Sequence, residues 1–326
     1  VDYLVALRIP LSTQKKKKRL LLISLIVNLG VLFYFKYLIF FSENTIGLAN
    51  ILGYEIDPLA LKIILPLGIS FYTFQTISYT VDVYRGLIEP ERDFILYACY
   101  VTYFPQLVAG PILRAAEVIP QFAKRPPFSW ISIAVGLRRI VYGLFLKVVL
   151  ADNIAPLVDS GYSMSVDTMS ALDVWTLAFL FGFQIYFDFS GYSDMALGIG
   201  LMFGIALPFN FLSPFKAKNI SEFWRCWHMT LSKFVREYLY NPISLLLTRY
   251  AIDKNFGRIG VFILSIFIPP MLAFICIGLW HGAGWNFILF GVLHGVYIVV
   301  HNIWVKSKNM IPEDKRIKKN NITNFI

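Results

Sequence analysis

Charge is what this sequence has least of. Of its 326 residues only 15% are Asp, Glu, Lys or Arg, while 57% are hydrophobic and 17% aromatic. Soluble globular chains carry about 25% charged residues. The mean hydropathy is +0.62. A soluble fold of this size would have to hide several runs of roughly 20 apolar residues, each long enough to cross a bilayer, in a core too small for them. The chain therefore reads as an all-α, multi-spanning membrane protein. Cysteine is scarce too: Cys99, Cys226 and Cys276 stand far apart, which excludes a CxxC redox or zinc pairing. The count is odd, so at least one thiol is free or pairs with another chain, and Cys226 reads as a small buried apolar residue rather than a palmitoylation site. No cleavable signal sequence opens the chain. No GxSxG elbow marks a serine nucleophile, and Gly198-Ile-Gly-Leu-Met-Phe-Gly204 follows no strand, so it is a packing motif and not a dinucleotide loop.

The net charge of +10 does not indicate nucleic acid. Basic residues sit between apolar runs, notably Lys15–Lys18 with Arg19 and the tail from Lys306 to Lys319, as positive-inside loops do. No aromatic-basic module accompanies them. The first span is Leu20 to Phe41, followed by a loop from Ser42 to Pro58 that holds no Lys or Arg and belongs outside. A second span runs from about Leu59 to Val81. The run from Phe94 to Ile112 lies between a mixed-charge loop, 82–93, and a basic, Pro-rich stretch, 113–130; with both placed inside it cannot cross fully, and its Pro105, Gly110 and Pro111 predict a re-entrant or buried hairpin. Ile131 to Leu150 crosses next, and loop 151–170, with three aspartates and no Lys or Arg, belongs outside. The stretch 171–208 is interrupted by Asp188-Phe-Ser-Gly-Tyr-Ser-Asp194, and the parity of crossings predicts that one half of it fails to traverse. Loop 209–258 is basic and belongs inside. The last spans are about Ile259–Leu279, with a bend expected at Pro269-Pro270, and Trp285–Trp304.

Four histidines carry most of the possible chemistry. His228 lies in Asn219 to Tyr240, which reads as one amphipathic interfacial helix opened by a capping box, Asn219 with Glu222. It falls near the apolar stripe, where it is either a neutral base or a hydrogen-bonded structural histidine. His281 sits in Gly278-Leu-Trp-His-Gly-Ala-Gly-Trp-Asn286, where glycines break the helix and permit close approach by a ligand. An ionisable side chain at such a point between spans favours function over a plain turn. His294, in Gly291-Val-Leu-His-Gly295, reads as a helix-packing residue, and His301 as interfacial. None has zinc-ligand spacing, so no metal is expected. Asp188 and Asp194 could relay protons, orient a partner or cap a helix break.

Around these histidines the sequence resembles the membrane-bound O-acyltransferase family, in its bacterial branch of alginate and peptidoglycan O-acetyltransferases. The matching stretches are Pro66 to Gln75, Tyr103 to Ile112, Lys147 to Asn153, Phe187 to Asp194, Phe223 to Leu231 and Leu279 to Gly295. The resemblance implies a ring of tilted transmembrane helices with re-entrant segments and interfacial helices, pierced by a tunnel. It places His281 at the family's catalytic histidine and His228 at its second polar position. Substrate contacts are expected from Trp280, Asn286, Trp224, Arg225 and Asp188. The expected donor is acetyl-CoA or another acyl thioester, with no tightly bound cofactor. The expected acceptor is an extracytoplasmic polysaccharide, or a periplasmic or surface acyltransferase that relays the group, and the setting is a bacterial inner membrane. Residues 1–326 are expected to form one membrane domain lacking N- and C-terminal spans of a longer protein. Two other classes compete: a transporter using Asp188 and Asp194 as proton sites, for which His281 is dispensable, and a non-catalytic membrane scaffold.

Overall fold

The computed structural model describes residues 1–57, 63–107, 109–124 and 127–309. These residues are helical, joined by turns and irregular segments, with no strand among them. They fall into two compact units, one comprising Val1–Leu212 with His228–Leu231, the other Ser213–Trp227 with the chain from Ser232 on. Among the described residues four helices are long and apolar enough to cross a membrane: Gln14–Ile51, Ala171–Met202, Arg258–His281 and Trp285–Ser307.

The first unit contains α1 (Asp2–Arg8), α2 (Gln14–Ile51), α3 (Ile69–Arg85), α4 (Phe94–Thr102), α5 (Ala115–Lys124), α6 (Trp130–Leu144), α7 (Asp152–Ser163) and α8 (Ala171–Met202). Helix α2 runs ten residues past the predicted end. Ser42, Asn44 and Thr45 do not stop it, because each side chain donates back to a carbonyl of the preceding turn, of Ile39, Phe40 and Phe41. The beginning of the second predicted span lies outside the described residues. Its helix starts only at Ile69, after Pro66 and after Gly68, whose φ of 73° and contact with the Leu107 carbonyl leave no room for a side chain. Between 94 and 112 the helix breaks as predicted: α4 ends at Thr102, a single turn covers Phe104–Leu107, and the chain through Ile112, Leu113 and Arg114 is non-helical and buried.

Two sequence expectations are corrected at α6 to α8. The predicted outer loop 151–170 is helical to Ser163, continuing α6 through a π-helical segment, Phe145–Ala151. The stretch predicted to break at Asp188–Asp194 is instead one unbroken helix of 32 residues. That is ~48 Å at 1.5 Å per residue, long enough for a single crossing, for which the parity needs no failed half. The acids do not break it because each has a cation beside it. Arg139 Nη1 lies 2.7 Å from Asp194, and Lys147 Nζ lies 2.6 Å from Asp188 and 2.7 Å from Asp152. Paired acids within a membrane helix avoid facing lipid as isolated charges. Glycines bring the backbones close enough for this: a Cβ on either Gly136 or Gly198 would lie 2.5 Å from the other's carbonyl oxygen, and Gly143 meets Gly191 one heptad away.

The second unit contains α9 (Ile220–Cys226), most of α10 (Met229–Val235), α11 (Asn241–Asp253), α12 (Arg258–His281) and α13 (Trp285–Asn309). The last two match the predicted spans. Pro269 and Pro270 follow a π-helical segment, Ile263–Phe267, so they open the renewed α-helix where their missing N–H costs least. Gly291 and Gly295 pack against Phe274 and Met271 of α12, the small-residue stripe expected around His294. The basic tail beyond Asn309 lies outside the described residues.

Candidate functional site

His228 does not lie on a continuous interfacial helix. Asn219 caps α9 through the Glu222 N–H, but Glu222 bonds back to the Lys218 N–H, so the capping box is shifted by one residue. The helix stops at Cys226, and His228 adopts φ 39°, a left-handed conformation that costs a side-chain-bearing residue about 1–3 kcal/mol. Asn210, which nothing in the sequence singled out, holds it there. Its Oδ1 lies 2.9 Å from His228 Nδ1 and accepts from the Thr230 hydroxyl at 2.9 Å and the Thr230 N–H at 3.4 Å. Its Nδ2 donates to Ser193 Oγ at 3.2 Å, and its carbonyl accepts from the Met229 N–H at 2.9 Å. A backbone N–H can only donate, so the atom facing it is the amide oxygen, and His228 Nδ1 carries the proton. In the neutral ring Nε2 then holds the lone pair. The ring is fully buried, edge-on to Phe189 at 4.7 Å.

His281 is the opposite case. It is the last residue of α12, exposed, with Gly282 extended beyond it. The helix breaks where the glycines predicted, and a Cβ on Gly282 would enter the ring of Phe287. Buried Trp280 lies edge-on to the imidazole at 5.1 Å, and Phe290 of α13 at 5.6 Å. Asn286 is exposed in the first turn of α13. An imidazole on an apolar aromatic floor at the mouth of a helix break can take a proton from a hydroxyl brought to it.

His294 is more than a packing residue. Trp224 Nε1–H donates to its Nδ1 at 3.3 Å, so its neutral form carries the proton on Nε2, the tautomer opposite to that of His228. Trp224, Phe274, Phe290 and Tyr297 surround the ring, and Phe290 also touches His281. Trp224 lies 70 positions from His294, and no local pattern could have joined them. The second unit thus brings together Trp224, Trp280, His281 and His294 around Phe290, with Arg225 one residue from Trp224. His228 and Asp188 belong to the first unit, where Asp188 is ion-paired with Lys147. Of the cysteines, Cys99 and Cys276 are exposed and Cys226 is half-buried, so none is the small core residue expected of Cys226.

A chain with these spans and this histidine break matches, over residues 91–326, the membrane-bound O-acyltransferase family, and it belongs to that family. Its relatives narrow the branch. It is 40% identical to the peptidoglycan O-acetyltransferase of Helicobacter pylori over 93% of this chain and 59% of that protein. It is 38% identical to the probable alginate O-acetylase AlgI of Azotobacter vinelandii over 92% of this chain and 57% of that one. A more distant relative, the teichoic acid D-alanyltransferase of Bacillus subtilis, is 28% identical over 76% of this chain and 62% of its own length. The chain therefore spans about three-fifths of the length of the curated relatives it matches.

Proposed function

We propose that the protein containing this chain is a membrane O-acetyltransferase that moves an acetyl group from a cytoplasmic thioester to a hydroxyl of an envelope polysaccharide, with His281 as general base. The carrying observation is His281 itself, exposed at the glycine break of α12 on a floor of Trp280 and Phe290. The imidazole takes the proton of the acceptor hydroxyl as its oxygen attacks the thioester carbonyl. The tetrahedral intermediate expels the thiolate, which recovers the proton as free thiol, and the acetyl ester remains on the sugar. Such base assistance contributes roughly 10²–10⁴-fold, and holding donor and acceptor together supplies much of the rest.

Sidedness supports this reading. The segment 213–258 has eight Lys and Arg against three acids, which favours the cytoplasm. The following span, α12, then delivers His281 toward the outer face, where a polysaccharide waits. The names of the relatives favour peptidoglycan or an alginate-like polymer as acceptor, in a bacterial inner membrane, with acetyl-CoA as donor. His228, sealed in its own unit by Asn210, suits holding the chain at φ 39° better than meeting substrate. The ion pairs of Asp188 and Asp194 weaken the transporter alternative, because both acids already have cationic partners. Deleting the gene is expected to remove alkali-labile acetyl esters from one envelope polysaccharide, measured by mass spectrometry of isolated polymers. An unchanged ester content in every polymer would overturn the proposal.

A further inference from the structure

Helix α13 places Phe290 and His294 one turn apart, on the face that meets α12. Gly291 lies between them, and a Cβ there would stand 2.5 Å from the Phe274 carbonyl oxygen, so the close approach of the two helices leaves these rings little lateral room. Packing thus fixes where the rings are, but not how they are turned. The torsion that rotates a phenyl or imidazole ring about its Cβ–Cγ bond has broad minima. What sets it here comes from a third element. Trp224 of α9 is 6% exposed, and a buried indole N–H has to find an acceptor. It finds His294 Nδ1 at 3.3 Å, with the indole edge-on to the imidazole and 5.1 Å between ring centres. Turning the imidazole over would put a carbon where the acceptor stands, so this bond selects one orientation of the ring.

Phe290 takes its own orientation from His294. Its ring lies 4.4 Å from that imidazole, at an angle of 51°, and meets the His281 ring at 5.6 Å and 87°. We propose that His294 is a positioning residue: pinned by the Trp224 N–H, it holds Phe290 as the floor that orients the His281 imidazole. This role rests on the function proposed above, with His281 as base. His294 moves no proton in it, because its Nδ1 lone pair is taken up by the indole. A base acts only when its own lone pair faces the hydroxyl. A floor that lets the His281 ring swing therefore lowers kcat and leaves the binding of donor and acceptor as it was.

The test measures acetyl transfer by the full-length protein in lipid nanodiscs, for Trp224→Phe, Phe290→Leu and the two combined. Trp224→Phe keeps an aromatic wall and removes the donor. Its kcat is expected to fall about three- to tenfold, the share a single neutral hydrogen bond can pass on, with both KM values within about twofold of wild type. In the Phe290→Leu background the same change should lower kcat no further, because the ring through which it acts is gone. His294→Phe, which keeps a ring and removes the acceptor, should match Trp224→Phe, and it carries the test alone if the tryptophan variant does not fold. A role in packing alone predicts a lower unfolding temperature with kcat unchanged for the folded enzyme, and that result overturns the proposal. A raised KM for the donor, or losses that multiply in the Trp224/Phe290 pair, also overturns it, because Trp224 would then be meeting substrate itself. An inactive His281→Ala beside a wild-type kcat in Trp224→Phe removes the positioning role and keeps the function. Wild-type turnover in His281→Ala removes both.

Discussion

His281→Ala is expected to lower acetyl transfer by about 10²–10⁴-fold, the contribution typical of a positioned general base. The loss should fall on kcat, with the KM for the donor nearly unchanged, because a base acts in the transition state and not in ground-state binding. The imidazole is exposed, at a helix terminus already broken by Gly282, so its removal creates no cavity and should leave the thermal transition close to wild type. That separation of activity from stability is what makes the variant informative. His281→Gln, which can hydrogen-bond but cannot accept the proton, should be nearly as inactive as alanine. Side-by-side assays of labelled acetyl-CoA consumption and of unfolding temperature check both halves. Wild-type turnover in His281→Ala would move the base elsewhere; a collapsed, unfolded protein would mean that His281 is structural.

Asn210→Leu is expected to produce the converse result, a loss of stability of about 2–5 kcal/mol. The amide is 1% exposed and serves His228, Thr230 and Ser193 at once. Leucine has the same branched skeleton but offers no partner to the buried imidazole N–H or the Thr230 hydroxyl, and each orphaned polar group costs about 1–3 kcal/mol. The same network imposes φ 39° on His228, so the damage should spread to the turn between α9 and α10. His228→Gly makes the point from the other side. It discards the ring but relieves the left-handed backbone, and it should unfold at a higher temperature than His228→Ala, which keeps the strain and loses the bond. Thermal unfolding in detergent measures all three. An Asn210→Leu protein within about 0.5 kcal/mol of wild type, the range of ordinary surface changes, would show that the hub is dispensable.

What the sequence made legible follows from where its signals are local. The last two spans, the Gly282–Gly284 break that exposes His281 and the helix break between Thr102 and Ala115 depend on contiguous apolar length, glycine and proline, and the structure has each of them. The errors share one cause: polar residues were read as interruptions when their partners lay far away in sequence. Asp188 and Asp194 stay within a continuous α8 because Lys147 and Arg139 reach them from a helix more than 40 positions earlier. The 219–240 segment carries a helical stripe, yet it breaks at His228 because Asn210 and Thr230 stabilise a conformation that local propensity disfavours. Trp224 and Arg225 were expected only as substrate contacts. The structure instead joins Trp224 to His294 across 70 positions, a pairing that only the packing of α9 on α13 creates.

The most direct measurement supplies acetyl-CoA, labelled in the acetyl group, only to the cytoplasmic face of sealed membrane vesicles that contain the full-length protein and its envelope polymer. The expected result is label in an alkali-labile ester of the polymer on the opposite face, with one free coenzyme A thiol appearing on the cytoplasmic face for each ester formed. Label that stays on coenzyme A, or that crosses the membrane without becoming an ester, would contradict acyl transfer at His281.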